Sequence, residues 1–363
     1  MPIRDYARFP VVSVVSVLRR LFICEGLDAD KARSVSEALV RADMMGHHSH
    51  GVALVPWYMQ ALTSGQMARQ GEPAVLSDRG ACIAWQGNRL PGAWLLDLAS
   101  DLLIERSAQF GVVTLTIAGA HHTGALAVYL PRFTERGLMP IISCSGPAAQ
   151  GVAPYGGRQG VFTPNPLACG IPSTDDPILI DISASITTTN RARQLTQAGE
   201  LFPAEWVLDA QGCPTRDPAA LTSGGGTLLP VGGLDHGHKG YAMALLVEAL
   251  TQGLSGLGRH TAPTGVLMNV FLQVIDPGAF GGADAFKEEM SWLRRSCRDN
   301  PPRPGVERVR VPGEHGLAEM RRAQEQGVLL PAAALSGLGP YLNKHELQWP
   351  DCVEAGSARR VEQ

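Results

Sequence analysis

Three short histidine clusters carry most of the proton-transfer potential of this chain. The first is Gly46-His47-His48-Ser49-His50-Gly51, the second His121-His122, and the third His236-Gly237-His238-Lys239. Together they hold seven of the ten histidines, and the expectation is that they converge on one site. Histidine has the unperturbed pKa closest to neutrality, so it suits giving and taking a proton at a carbonyl oxygen. His50, between Ser49 and Gly51, falls where a helix has run out and the backbone can turn toward a cleft. Two other readings of the box stay open. It would serve as a solvated helix end near the favourable dipole, or as imidazole ligands for zinc, iron or nickel, although no carboxylate or cysteine stands at ligand spacing. A Ser49–His50 hydrolase dyad is poorer, because neighbouring residues of a helix do not face one another.

His121 and His122 follow an apolar run, 111–117, that reads as a strand, and ligand groups in α/β folds gather at the carboxyl ends of strands. The glycine-rich stretch 232–240 reads as the lead-in to a helix. Its backbone N–H groups and Lys239 would then form an anion or phosphate site, or simply a flexible loop. Asp181 is an acid amid apolar residues and needs donors, for which Ser183, Ser185 and backbone amides are the obvious choice. There is no G-x-G-x-x-G, G-x-x-x-x-G-K-[ST], H-E-x-x-H or G-x-S-x-G, so neither a standard Rossmann nor a P-loop reading has support.

The elements that must position these groups are legible from periodicity. Residues 10–26 read as an amphipathic helix. A second helix runs through Met45, with Asp28 or Asp30 as its cap. A third covers 55–63, with Pro56 tolerated in its first turn and Gly65 at its end. From about residue 75, strands at 81–85, 111–117, 138–144, 166–171 and 178–182 alternate with helices at 92–109 and 124–136, which argues for α/β. An apolar helix at 241–253 and a strand at 266–275, central to a sheet, come next. Helices at 283–297, 315–327 and 332–345, a proline-rich linker at 300–304 and a frayed last dozen residues close the chain.

The 363 residues suffice for two domains, or for one large domain with a smaller partner. Hydrophobic residues make up 45% and charged ones 18%, below the usual charged share of about 25%, which favours burial in a core or at a subunit interface. A net charge of −3 leaves no basic footprint for nucleic acid. Seven scattered cysteines without C-x-x-C spacing point to reduced thiols in the cytosol. No apolar run approaches the roughly 18 residues of a membrane span. The expectation is a soluble cytoplasmic protein with neither nucleic acid nor membrane as a partner.

Several boxes gain meaning from their order. Ala42-Asp43 precedes the Gly46–Gly51 box; then come His122-Thr123-Gly124 with Tyr129, and Pro154-Tyr155-Gly156-Gly157. Asn165-Pro166-Leu167-Ala168, Asp181 to Ser185, Pro203 to Trp206, Lys239-Gly240-Tyr241 and Val311 to Glu314 follow. This ordered set resembles the malate/L-lactate dehydrogenase family of NAD(P)-dependent oxidoreductases, a non-Rossmann group that includes diketogulonate, ureidoglycolate, sulfolactate and cyclic-imine carboxylate enzymes. The resemblance implies a mixed-sheet α/β fold peculiar to the family and a homodimer or higher homo-oligomer. A helical region, 1–75, would carry the catalytic histidine and pack with 307–363, and an α/β domain, 76–306, would bind cofactor and substrate.

By position, His50 matches the catalytic acid, with Ser49 and His122 beside the substrate; His47 and His48 are peripheral. Asn165 and position 54 would meet the substrate. NAD or NADP would lie at Asp181, Ser183, Ser185, His238, Lys239, Gly313, Glu314 and His315, and no metal is implied. Two departures stand out. The arginine usual four residues after the catalytic histidine, a natural carboxylate clamp, is Leu54, and the usual Gly-Thr-Asn-Pro is Thr163-Pro164-Asn165-Pro166. Arg158, Arg191 and Arg193 are candidates to replace the clamp. The expectation is an NAD(P)H-dependent reductase, reversibly a dehydrogenase, for a small 2-oxo, 2-hydroxy or cyclic imino acid. The alternatives are a metal-dependent lyase or hydrolase built on the histidines, and a catalytically weakened NAD(P)-binding member.

Overall fold

In the computed structural model, which describes residues 6–353, the chain enters through a short strand, Tyr6–Phe9 (β1), and two helices, Val11–Cys24 (α1) and Ala29–Met44 (α2). Val14, Leu18, Leu21 and Phe22 share one face of α1 and are fully buried, as an apolar stripe at helical period requires. Asp28 stands at the N-cap of α2, but its carboxylate accepts from Lys31 Nζ at 3.0 Å instead of capping the helix. The third helix, Val55–Thr63 (α3), keeps the bounds read from sequence, with Pro56 where no N–H is required.

Strands Ala74–Asp78 (β2) and Cys82–Gln86 (β3), helix Gly92–Phe110 (α4) and strand Val112–Ala120 (β4) follow. A 3-10 turn, Leu126–Tyr129, then leads into the short helix Leu130–Thr134 (α5). The single helix expected over 124–136 is thus broken, because Pro131 in the first turn of α5 has no N–H to continue an earlier helix. Next come Met139–Ser145 (β5), Pro166–Ile171 (β6), Ile178–Ser183 (β7) and Thr189–Ala198 (α6). Val207–Leu208 (β8), Pro214–Thr215 (β9), Ala219–Thr222 (α7) and Thr227–Leu228 (β10) form a small unit. Gly233–Glu248 (α8), Met268–Ile275 (β11), Ala283–Arg298 (α9), Glu314–Gln326 (α10), Val328–Pro331 (β12), Ala332–Ser336 (α11) and Gly339–Lys344 (α12) complete the order. The helix expected over 332–345 is therefore two, with Gly337 and Leu338 between them. The fraying expected at the end of the chain concerns residues that mostly lie outside those described.

The main sheet has seven strands in the order β2-β3-β4-β11-β5-β6-β7. β11 is its centre, as its largely apolar run suggested, and Val270, Phe271, Leu272 and Val274 are buried. Both its neighbours are antiparallel, so the run reflects burial and not a parallel ladder; only β3 and β4 pair in parallel. The fold is α/β with a mixed sheet. One continuous core joins residues of α1 to α4 with those of β3, β4, β5 and β11, and a second lies around the small sheet β10-β8-β9. At the other end of the chain, β12 returns to pair antiparallel with β1, from Tyr6↔Pro331 to Phe9↔Val328, and α10 packs on α2. That return brings the start of α10 to the end of α2, where the first histidine cluster begins. Among the described residues no helix is long and apolar enough to cross a membrane.

Candidate active site

Asp43, near the end of α2, is the anchor of the first cluster. Its buried carboxylate accepts from the Val52 amide (2.7 Å) through Oδ2 and pairs with His48 Nδ1 (2.8 Å) through Oδ1. Burial raises the Asp43 carboxyl above its ordinary value, and the bonds to His48 and Val52 work against the rise. The turn 48–52 is thereby wrapped over the carboxylate so closely that only glycine fits at position 51, where a Cβ would overlap the carboxyl group. On the outer side of that turn, Ser49 Oγ lies 2.8 Å from His50 Nδ1. Burial, helped by the neighbouring His47, pushes His50 down to about 4, so the ring is neutral at pH 7. His48 is thus a structural anchor. His47 is held low by burial, then by the fields of His48 and His315.

The second cluster meets the first. β4 ends at Ala120, and the start of α4 docks against the chain beyond it; a Cβ on Gly92 would strike the His121 and His122 carbonyls. The His122 ring lies 5.9 Å from that of His50 at an interplanar angle of 19°. Its Nδ1 accepts from the Gly124 amide (3.3 Å) and stands 2.7 Å from the Tyr58 hydroxyl of α3. Trp57 packs on both His121 and His122. Burial lowers the His122 pKa well below its ordinary value, followed by the fields of His50 and His121, and burial alone brings His121 to about 4. Among the described residues, no protein group bonds Nε2 of His50 or of His122.

Asp181, in the edge strand β7, takes one donor, the Ala127 amide at 2.9 Å, and burial raises its carboxyl to about 6 against that bond. The serines expected to serve it do not. Ser183 Oγ donates to the Ser185 carbonyl, and Ser185 Oγ donates to the Thr187 carbonyl and to Ser183 Oγ. The Pro312 carbonyl accepts from the Leu179 amide, which docks Gly313 on β7, and Glu314 turns back on its own loop through the Val311 amide and Arg308. Asp181 and the 313–315 turn are therefore neighbours along β7, and His315 reaches the field of His47.

The third cluster does not join this group through any ring or hydrogen-bond contact among the described residues. His236, His238 and Lys239 are exposed, and the rings contact Tyr155 and each other. They lie within α8, whose two helical segments meet at His236 (φ −124°), so that His238 and Lys239 stand at the start of the second segment. Asn165 is buried with both ends of its amide engaged: Nδ2 donates to Glu248 Oε1 (2.9 Å) and the Ala244 carbonyl, and Oδ1 accepts from Thr163 Oγ1. Leu54 is buried, in a turn that packs on α11.

Three contributors were not foreseen. Tyr58 and Trp57 form an aromatic pair one short helix beyond His50, a spacing that would have drawn notice had α3 been projected onto the cluster. Asn190 of α6 donates through Nδ2 to the Ser49 carbonyl (3.3 Å) and accepts through Oδ1 from Arg193 Nη1 (3.4 Å); nothing local in the sequence marks it. Among the described residues no three His, Cys, Asp or Glu side chains are arranged to hold a metal ion, so the metal-dependent alternative finds no ligand set.

Comparison with known proteins matches this arrangement to a family. Residues 10–339 match the model of the malate/L-lactate dehydrogenase family. The chain is 32% identical over 342 residues to a Δ1-pyrroline-2-carboxylate/Δ1-piperideine-2-carboxylate reductase of Pseudomonas syringae pv. tomato, covering 90% of this chain and 93% of that one. It is 32% identical over 334 residues to an L-lactate dehydrogenase of Cupriavidus necator, covering 90% and 94%. The solved Δ1-piperideine-2-carboxylate reductase of P. syringae pv. tomato superposes with a TM-score of 0.79 at 29% identity, over 92% of this chain and 99% of that one.

Proposed function

The chain belongs to the malate/L-lactate dehydrogenase family, and on that premise we propose that it is a nicotinamide-dependent reductase, reversibly a dehydrogenase. Its substrate on this reading is a small 2-oxo/2-hydroxy acid or a cyclic imino acid, the two kinds named for its relatives. One relative, 28% identical over 317 residues, is named as an NAD(+)-dependent ureidoglycolate dehydrogenase of Escherichia coli O157:H7. The observation that carries the reading is the nearly parallel pair of His50 and His122, each tied through Nδ1 to a hydroxyl and each with Nε2 free.

The residues present suit such a cofactor. A Cβ on Gly124, two residues from His122, would meet no atom within 4 Å, so the backbone there faces open space. Asp181 has a single donor and keeps acceptor capacity for a carboxamide or ribose hydroxyl. The exposed Lys239 offers a cation for a pyrophosphate. When bound, the nicotinamide supplies or accepts the hydride. His50 gives its proton from Nε2 to the substrate as negative charge builds there, and takes it back in oxidation. The Ser49 hydroxyl accepts from Nδ1–H before and after that transfer, which keeps Nε2 as the atom that loses and regains the proton. A substrate carboxylate beside His50 raises its pKa from about 4 toward the working range, because a nearby opposite charge favours the charged form.

We assign the clamp for that carboxylate to Arg193, which reaches Ser49 through Asn190. Arg158 packs instead against Gly212. Exposed Leu245 and Leu246 of α8 and Ile182 of β7 support association of the chain with itself. The test is nicotinamide absorbance with NADH or NADPH and a panel of 2-oxo and cyclic imino acids. His50→Ala should abolish turnover while cofactor binding persists; full activity in that variant refutes the assignment.

A further inference from the structure

His50 and His122 look alike, but their anchored nitrogens tolerate different protonation states. At His50, Nδ1 meets one serine hydroxyl, which donates or accepts as its rotor turns. At His122, Nδ1 meets two groups, the Tyr58 hydroxyl at 2.7 Å and the Gly124 backbone N–H at 3.3 Å. A backbone amide only donates. Nδ1 of His122 is therefore an acceptor, and the neutral ring carries its proton on Nε2. A second proton would turn an N–H against the Gly124 N–H and place a charge against His121, and against His50 whenever that ring is charged. Tyr58 is 3% exposed and packs edge-on against both His121 and His122, so its hydroxyl is held at this nitrogen.

We propose that Tyr58, together with the Gly124 amide, is a positioning device that locks His122 as a neutral imidazole protonated on Nε2. His122 is then a fixed hydrogen-bond donor to the substrate's acceptor atom, and His50 alone exchanges the proton. The donor role rests on the function proposed above. In reduction of a carbonyl, the π pair moves onto oxygen as the carbon takes hydride from the reduced nicotinamide, which is oxidised. The oxygen is held by His122 Nε2–H and takes the proton of His50 Nε2. A donor already aimed at the developing charge costs no reorganisation in the transition state.

Nitrogen-15 spectra of the imidazoles in the full-length protein without cofactor test the lock, with the His122 signals identified by their loss in His122→Gln. In the unsubstituted protein, Nε2 should be protonated and Nδ1 a hydrogen-bonded acceptor at pH 7, unchanged down to pH 5. Tyr58→Phe, which leaves Nδ1 only the longer Gly124 bond, should weaken the preference for the Nε2 tautomer and lower kcat about tenfold, the worth of one hydrogen bond, with KM within about twofold. A His122 that carries its proton on Nδ1, or is doubly protonated at pH 7, overturns the proposal, and this reading is taken on the unsubstituted protein. So does Tyr58→Phe with tautomer and kcat unchanged. An intact Nε2 tautomer in a protein that turns over none of the acceptors refutes the proposed function and the donor role, while the lock stands.

Discussion

Gly51→Ala is the substitution whose outcome depends most directly on the geometry beneath His50. A Cβ at position 51 would lie within about 2.5 Å of all three atoms of the Asp43 carboxyl group. Asp43 is buried, at 4% exposed. The carboxylate must move and loosen its bonds to the Val52 amide and to His48. Leaving a buried charge without its partners costs about 3–5 kcal/mol. At roughly 2 °C per kcal/mol for a large domain, the melting temperature should fall by about 6 °C or more. Ser49 and His50 ride on the same turn, so kcat should fall at least tenfold, measured by nicotinamide absorbance beside a circular-dichroism melt. A double-mutant cycle isolates the cause. With Asp43→Ala already in place the clash is gone, and adding Gly51→Ala should cost about 2 kcal/mol less than it does alone. A Gly51→Ala protein that melts with the original, or a cycle in which the two costs simply add, refutes the packing argument.

Two further outcomes follow from the buried histidines and from Arg193. His121 is fully buried with a value near 4, against 6.5 for a free ring, so between those pH values the unfolded state binds a proton that the folded state refuses. Stability is therefore complete above pH 6.5 and falls as pH drops toward 4, by roughly 3 kcal/mol from this ring alone. Denaturant midpoints at pH 7, 5.5 and 4.5 should fall in that order and His121→Phe should make the trend shallower, the other buried histidines keeping the rest of it; a flat profile in the original protein contradicts the burial argument. Arg193→Ala should raise KM for a carboxylate substrate about tenfold or more, the loss of a charge-assisted hydrogen bond, with kcat changed little. Arg158→Ala should not, and an unchanged KM in Arg193→Ala removes that residue as the clamp.

Much of the scaffold was legible because its signals are local. Pro56 and Gly65 bracket α3, and the apolar run of β11 marks the centre of the sheet. The strand β1 escaped notice because its pairing with β12 spans some three hundred residues and neither segment alternates strongly. The reach of the site was harder to see for the same reason. His50 and its serine are neighbours in sequence, so the box announced itself. Tyr58 reaches His122 only through the docking of α3 on the loop after β4, and Asn190 reaches Ser49 only through the placement of α6. The apparent convergence of three histidine clusters came from composition, which carries no distance; two of them meet, and the kinked start of α8 holds the third on the surface.

The missing arginine at position 54 becomes intelligible from the charge distribution around His50. His47, His50, His121 and His122 are all held toward the neutral form by burial. Leu54 is 9% exposed and its turn packs on α11, so a guanidinium there would have to be desolvated and paired. Arg193 is exposed, and its side chain keeps water on one side and Asn190 on the other. An exposed cation can, on the proposed reading, draw in a carboxylate without being desolvated beforehand, while the buried rings stay neutral until the anion arrives. On the proposed reading, anion binding and protonation of His50 then occur together, because the carboxylate is what makes the imidazolium affordable in a site that otherwise rejects it.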